Sequence, residues 1–144
     1  MAGATMTVSV VSPEKVLFTG EATQVITRIL GTGEIAFLPG HAPFLGALLE
    51  NHTRIYLADG TIIHVAVHGG FVEVSNNNVN VLSDVAELAE QIDRRRALAA
   101  KERVEDALRT DQSAENAAAL ARATARLNAT GGLTGSGAAR TDPG

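Results

Sequence analysis

Asp93, Arg96 and Arg103 stand at i, i+3 and i+10 in a stretch rich in alanine and charge. On a helix with 3.6 residues per turn they fall within about 80° of one another. Further on, Arg122 and Arg126 share an i, i+4 face. Guanidinium forks match phosphate oxygens, and a carboxylate matches an adenine amine or a ribose hydroxyl. If the two stretches close on each other, three or four guanidinium groups and a carboxylate converge, which is chemistry suited to a nucleotide. The plainer account is a salt-bridged helical surface, whose exposed pairs contribute little. Spacing alone favours the plainer account.

The four histidines carry less. His64 and His68, four apart on an expected strand, face the same way at about 3.3 Å per residue. That leaves them ~13 Å apart, too far to share one metal ion. His52 reads as a lone loop residue beside Asn51, and no His-x-His or His-Glu-x-x-His spacing occurs. A metal-dependent β-barrel of cupin type would have to use His64 and His68, and their spacing counts against it. There is no cysteine, which excludes thiolate metal sites and disulfides. Gly-x-Ser-x-Gly, Walker A and Gly-x-Gly-x-x-Gly are missing too, and Gly31-Thr-Gly33 leads into a strand instead of a helix N-terminus. No catalytic residue and no metal site are expected.

The elements that must position these residues divide the chain in two. At 144 residues it is one domain or a small domain with an appendage. Hydrophobic residues make up 45% but aromatics only 3%, so the core must be built from Val, Ile, Leu and Ala. Residues 1–84 hold seven acids against three bases (Lys15, Arg28, Arg54), whereas residues 85–129 hold eight of each. An acidic, aromatic-poor first part argues against a nucleic-acid platform. No apolar run approaches the ~20 residues that span a bilayer, and the first residues lack a signal peptide's basic start and apolar run. A soluble, cytosolic protein without direct membrane insertion is expected.

From Thr7 to Ser83 short β-rich runs alternate with turns at Ser12-Pro13, Thr19-Gly20-Glu21, Gly31-Thr-Gly33, Pro39-Gly40, Asp59-Gly60, Gly69-Gly70 and Asn76-Asn-Asn78. Such spacing predicts an antiparallel sandwich or barrel. At Pro39-Gly40 the proline presets the first corner of a type II turn and the glycine accepts the positive φ of the second. Pro43 then drives Ala42 towards extended geometry, so His41 sits on a stiff corner suited to contact with a partner.

Between Val85 and Ala129 there is neither Pro nor Gly. Ala97, Ala100, Val104, Ala107 and Leu108 make one helical stripe; Ala117, Leu120, Ala121, Thr124 and Leu127 make another. Ser113 offers an N-cap between them. Asp84-x-x-Glu87 resembles a capping box that would start the first helix at Val85, with a linker up to Glu90 as the competing reading. The expected architecture is α+β: a flattened antiparallel β-sandwich over 1–86, an antiparallel helical hairpin over 87–129 and a flexible glycine-rich tail over 130–144. Alanine stripes bury little area, so the hairpin should be marginal alone and able to detach.

Three blocks carry a family resemblance: Val10-Val-Ser-Pro-Glu-Lys-Val-Leu-Phe-Thr-Gly20, Gly33-Glu-Ile with Pro39-Gly-His-Ala-Pro-Phe-Leu45, and Gly69-Gly-Phe-Val-Glu-Val74 with Val79-Asn-Val-Leu82. Together they resemble the epsilon subunit of bacterial F-type ATP synthase over about residues 6–129. The resemblance implies a sandwich that binds the gamma subunit and rests on the c-ring, with Glu34 and His41 at the edge facing the ring. It also implies a hairpin that either folds onto the sandwich or extends towards the catalytic alpha/beta hexamer and inhibits ATP hydrolysis. The implied place is the cytoplasmic face of the cell membrane, as a peripheral part of the complex. Some members bind ATP through an Ile/Leu-Asp-x-x-Arg-Ala motif, and Ile92-Asp93-Arg-Arg-Arg96-Ala97 matches it in full. Glu87, Arg103, Arg122 and Arg126 also fall where those members place contacts. No cofactor is then required, and ATP is a regulatory ligand. The extra bases Arg94 and Arg95 suit contact with acidic surfaces of the catalytic subunits. A reading from another class is a free-standing nucleotide-sensing module.

Overall fold

A computed structural model describes residues 3–134, with side chains to residue 131. Its strands are β1 (Met6–Val11), β2 (Val16–Ile29), β3 (Gly33–Phe37), β4 (Phe44–Ala47), β5 (Asn51–Leu57), β6 (Ile62–Val67), β7 (Phe71–Ser75), β8 (Asn78–Leu82) and β9 (Ala86–Leu88). A 3-10 turn, Ala89–Gln91, leads to two helices, α1 (Arg94–Leu108) and α2 (Ala114–Thr134). The expected sandwich followed by two helices is present.

Strand neighbours run β4-β7-β8-β1-β2-β5-β6-β9, with β3 also on β2. The pairs are antiparallel except β1 with β8. Alternation of apolar and polar residues turns one face of each strand inward. The inward faces share a single core dominated by valine, with Phe37 and Met6 its bulkiest fully buried side chains. The first half of β2 pairs with β1 and the second half with β3 and β5, so this strand joins the two layers.

Three boundaries differ from the sequence expectation, the first two for a non-local reason. Thr19-Gly20-Glu21 is no turn: β2 passes straight through it, and the Phe18 ring lies over Gly20 where a side chain would stand. Asp84-x-x-Glu87 does not start a helix, because Ala86–Leu88 pairs with Val65–Val67 of β6. The helix begins at Arg94 instead, with Asp93 as its N-cap accepting from the Arg96 amide at 3.1 Å. At the far end α2 continues to Thr134, and the rest of the expected tail, 135–144, lies outside the described residues.

The turn chemistry holds elsewhere. Gly40 has φ 85° and the His41 amide donates to the Leu38 carbonyl at 3.0 Å, closing the expected corner. Ser113 caps α2 by accepting from the Asn116 amide at 3.2 Å.

Arg94 ties the start of α1 to the end of α2, donating to the Leu127 carbonyl at 3.3 Å and the Thr130 hydroxyl at 2.8 Å. The hairpin is therefore antiparallel, and Arg94 is engaged within it while Arg95 is exposed. The hairpin lies closed on the sandwich, α2 covering the outer face of β5 and β6. Its apolar contact is a small cluster of Ala66, Ala89, Ala125 and Ala129 with Ile92. At about 25 cal/mol per Å² of buried apolar surface, four alanines and one isoleucine hold the hairpin weakly. Polar contacts therefore have a large share in keeping it closed.

Candidate functional site

A cleft of about 290 Å³ opens where β9 and the 3-10 turn meet α1 and α2. Glu87, Ile92, Asp93, Arg96, Ala97, Arg103 and Arg126 line it, with Gln91 and Ala100. Seven of the eight residues expected to face a nucleotide are thus brought together. The eighth, Arg122, does not line the cleft; its guanidinium lies 3.8 Å from Glu115. Gln91 and Ala100 were missed, although Ala100 belongs to the stripe of α1.

The cleft lining combines guanidinium donors with carboxylate acceptors. Arg96 and Arg103 have no ion-pair partner among the described residues, so two exposed guanidinium groups remain available. Asp93 Oδ1 is occupied by capping α1. Glu87 Oε1 accepts from Arg126 Nε at 2.7 Å and lies 2.9 Å from His68 Nε2. Its Oε2 has no protein partner among the described residues. The bond to His68, with the smaller influence of Arg126, holds the Glu87 carboxyl at about 2, although burial acts the other way. Glu87 is therefore a fixed negative point between three arginines and a histidine.

The sheet face beneath α2 holds a second polar arrangement. His52 lies within β5, not in a loop, and its Nε2 stands 2.8 Å from His64 Nδ1. The register pairs Arg54 with His64 and His52 with Ala66, which sets the two imidazoles diagonally on one face. Only that register reveals the pair, and sequence spacing hides it. Burial, followed by the nearby His64 and Arg54, pushes the His52 imidazole down from 6.5 to about 4. The folded chain thus keeps His52 neutral where the unfolded chain would protonate it. Stability falls as pH drops from 6.5 towards 4 and changes no further through this group below that. At about 1.4 kcal/mol per pH unit the cost is about 3 kcal/mol. Thermal melts at pH 7 and pH 4.5 should show His52→Gln losing much less stability on acidification than the parent chain.

Glu34 lines the same face as His52 and Arg54, beneath α2, whereas His41 lies in the corner beyond the far end of β3. Glu34, on β3, forms an ion pair with Arg54 at 2.8 Å. His41 is in the corner past Phe37, its ring 4.9 Å from that of Phe37, with Nδ1 2.7 Å from the Ala42 carbonyl. Leu38 and Leu45, which flank this corner in sequence, are 51% and 71% exposed. Among the described residues no group of three or more His, Asp or Glu side chains is placed to hold a metal ion. No described helix is long and apolar enough to cross a membrane.

A valine-cored sandwich carrying a docked, alanine-lined hairpin defines a class, and its profile matches residues 5–89: ATP synthase, Delta/Epsilon chain, beta-sandwich domain. The chain is 45% identical over 132 residues to the ATP synthase epsilon chain of Desulfitobacterium hafniense, covering 90% of this chain and 98% of that one. It is also 45% identical over 128 residues to the ATP synthase epsilon chain of Solibacter usitatus, covering 85% and 93%. The chain belongs to the epsilon-chain family of ATP synthase. Its fold is shared with a chain of the Euglena gracilis mitochondrial ATP synthase (OSCP/F1/c-ring, rotational state 1) at TM-score 0.67 and 17% identity, covering 94% of this chain and 83% of that one.

Proposed function

We propose that this chain is a non-catalytic subunit of the central stalk of a proton-translocating ATP synthase. Its sandwich binds gamma and the c-ring, and its helical hairpin restrains ATP hydrolysis at the alpha/beta hexamer when it opens. The 45% identity to epsilon chains along nine-tenths of the sequence carries this reading. Two features support the division of labour. The exposed Leu38 and Leu45 beside the rigid His41 corner give the sandwich an apolar contact surface, with Glu34 as a charged contact further along β3. The thin apolar contact under α2 suits a hairpin that detaches. The same assembly would keep the chain peripheral, at the cytoplasmic face of the cell membrane.

ATP is the proposed regulatory ligand of the closed state, held in the cleft at the joint. Arg96, Arg103 and Arg126 would take phosphate oxygens, while Glu87 and Asp93 would accept from ribose or adenine. Ile92 and Ala97 supply the apolar wall. A ligand that touches α1, α2 and β9 at once binds only the closed hairpin and therefore favours it.

Affinity purification of the tagged full chain from solubilised membranes should bring down gamma and the c-ring together. Recovery of the chain alone, with ATP bound, would favour a free-standing nucleotide sensor.

A further inference from the structure

The first turn of α1 is Arg94-Arg95-Arg96, with no acidic residue in it. Cations at a helix start oppose its dipole, so the triplet costs α1 some of its own stability. What offsets that cost lies outside the helix. Arg96 lines the cleft and Arg95 is exposed. Arg94 crosses to α2, where Nη1 donates to the Leu127 carbonyl at 3.3 Å and the Thr130 hydroxyl at 2.8 Å. Thr130 is buried, and its hydroxyl donates onward to the same carbonyl at 3.0 Å. The guanidinium therefore meets two oxygens that already hold each other in place.

Little else fixes α1. It packs chiefly on α2, whereas α2 packs on β5, β6 and the 3-10 turn. Ala97 is the one buried residue of α1, and the rest of its stripe is half-buried. Small side chains remove little apolar surface from water, so polar contact counts for more. The cleft lies at this same open end of the hairpin. Arg96 and Arg103 reach it from α1, Arg126 from α2 and Glu87 from β9. We infer that Arg94 is a positioning residue: its bond to α2 sets the distance between the α1 and α2 walls of the cleft, and Arg96 and Arg103 face Arg126 only while that bond is made.

The charges explain why such a bond is needed. Arg96 and Arg103 on one helix repel Arg126 on the other, which drives the helices apart when the cleft is empty. Arg94 opposes that separation through two neutral oxygens and places no anion in the cleft. A ligand that bridges α1 and α2 favours the Arg94 contact, and by linkage the contact raises affinity for the ligand by the same factor. The effect on a ligand rests on reading the cleft as the nucleotide site; the hold on α1 does not.

The chain has no cysteine, so Ala99→Cys on α1 and Asn128→Cys on α2, both exposed, can carry a pair of spin labels on the full chain. Pulsed electron resonance should give one short distance for the parent chain and an added, longer population in Arg94→Ala and in Thr130→Val. In calorimetry each variant should bind ATP about fivefold more weakly, close to the worth of one hydrogen bond. With both substitutions together the loss should stay near that of either alone, because each removes the same contact. Arg94→Lys keeps the charge on a single donor and should fall between the parent and Arg94→Ala. Arg95→Ala removes the same charge one residue on and should leave distance and affinity as they are. Circular dichroism should show the helix content of Arg94→Ala kept or raised, since the substitution relieves the dipole. A longer distance then reports the lost contact and not a melted helix.

Parent-like distances in Arg94→Ala, or additive losses in the double variant, would overturn the inference. So would an equal loss of affinity in Arg95→Ala, which would make the effect one of charge. ATP bound at parent strength by an Arg94→Ala chain whose helices have separated would remove the positioning role. A parent chain that binds no ATP removes the nucleotide reading instead, and the label distances still decide whether Arg94 holds α1.

Discussion

Shortening the chain after Gln91 should raise ATP hydrolysis by the assembled enzyme roughly fivefold, about 1 kcal/mol of inhibition released. The cut follows from the fold. It removes α1 and α2 whole, yet keeps β9 on β6 and leaves the sandwich with every strand of its core. A cut near residue 86 would strip β9 and expose the β6 edge, mixing lost inhibition with a damaged sandwich. Steady-state hydrolysis by the complex rebuilt with the full or the shortened chain is the measurement, with retention of the chain in the complex as the control. Equal rates with the shortened chain in place would sink the inhibitory role.

The second large effect concerns the cleft. Arg126→Ala should weaken ATP binding to the full chain by roughly 10- to 100-fold, the value of one charge-assisted hydrogen bond at ~1.5–3 kcal/mol. Two causes contribute, because Arg126 would meet the ligand and also holds Glu87 at 2.7 Å. Arg103→Ala separates them: this residue has no ion-pair partner among the described residues, so its loss should weaken binding without loosening the hairpin. Arg122→Ala is the contrast. It lies off the cleft against Glu115, and its removal should change affinity less than threefold. Calorimetry with ATP on the three variants checks the order. A loss at Arg122 equal to that at Arg126 would place the ligand elsewhere.

What could be read from the sequence followed the range of the forces involved. Pro39-Gly40, Asp59-Gly60 and Ser113 act within three or four residues, and their turns and cap appear as expected. The motif at Ile92 to Ala97 is equally local. With Glu87, Arg103 and Arg126 it led to seven residues that share one cleft. What was misread depends on partners far along the chain. Gly20 sits in a strand because β1 and β5 pair with that strand on either side of the switch between layers. Ala86–Leu88 is a strand because β6 offers an edge, which overrides a capping box whose glutamate is drawn to His68 and Arg126 instead. The diagonal pairing of His52 with His64, and the contact of His68 with Glu87, exist only once strand register brings distant residues side by side.

The pinning of Leu88 against Val65 sets the geometry of any swing. An arm that leaves the sandwich must turn about the few residues between Leu88 and Asp93, so its origin stays fixed to the sandwich while its tip travels. At 1.5 Å per residue α1 is about 22 Å long and α2 about 31 Å. Folded, the arm is as short as its longer helix; laid end to end, its helices reach about 55 Å. The hinge sits beside the cleft, so a ligand seated there meets the arm at its root, where a small obstruction stops the largest displacement at the tip.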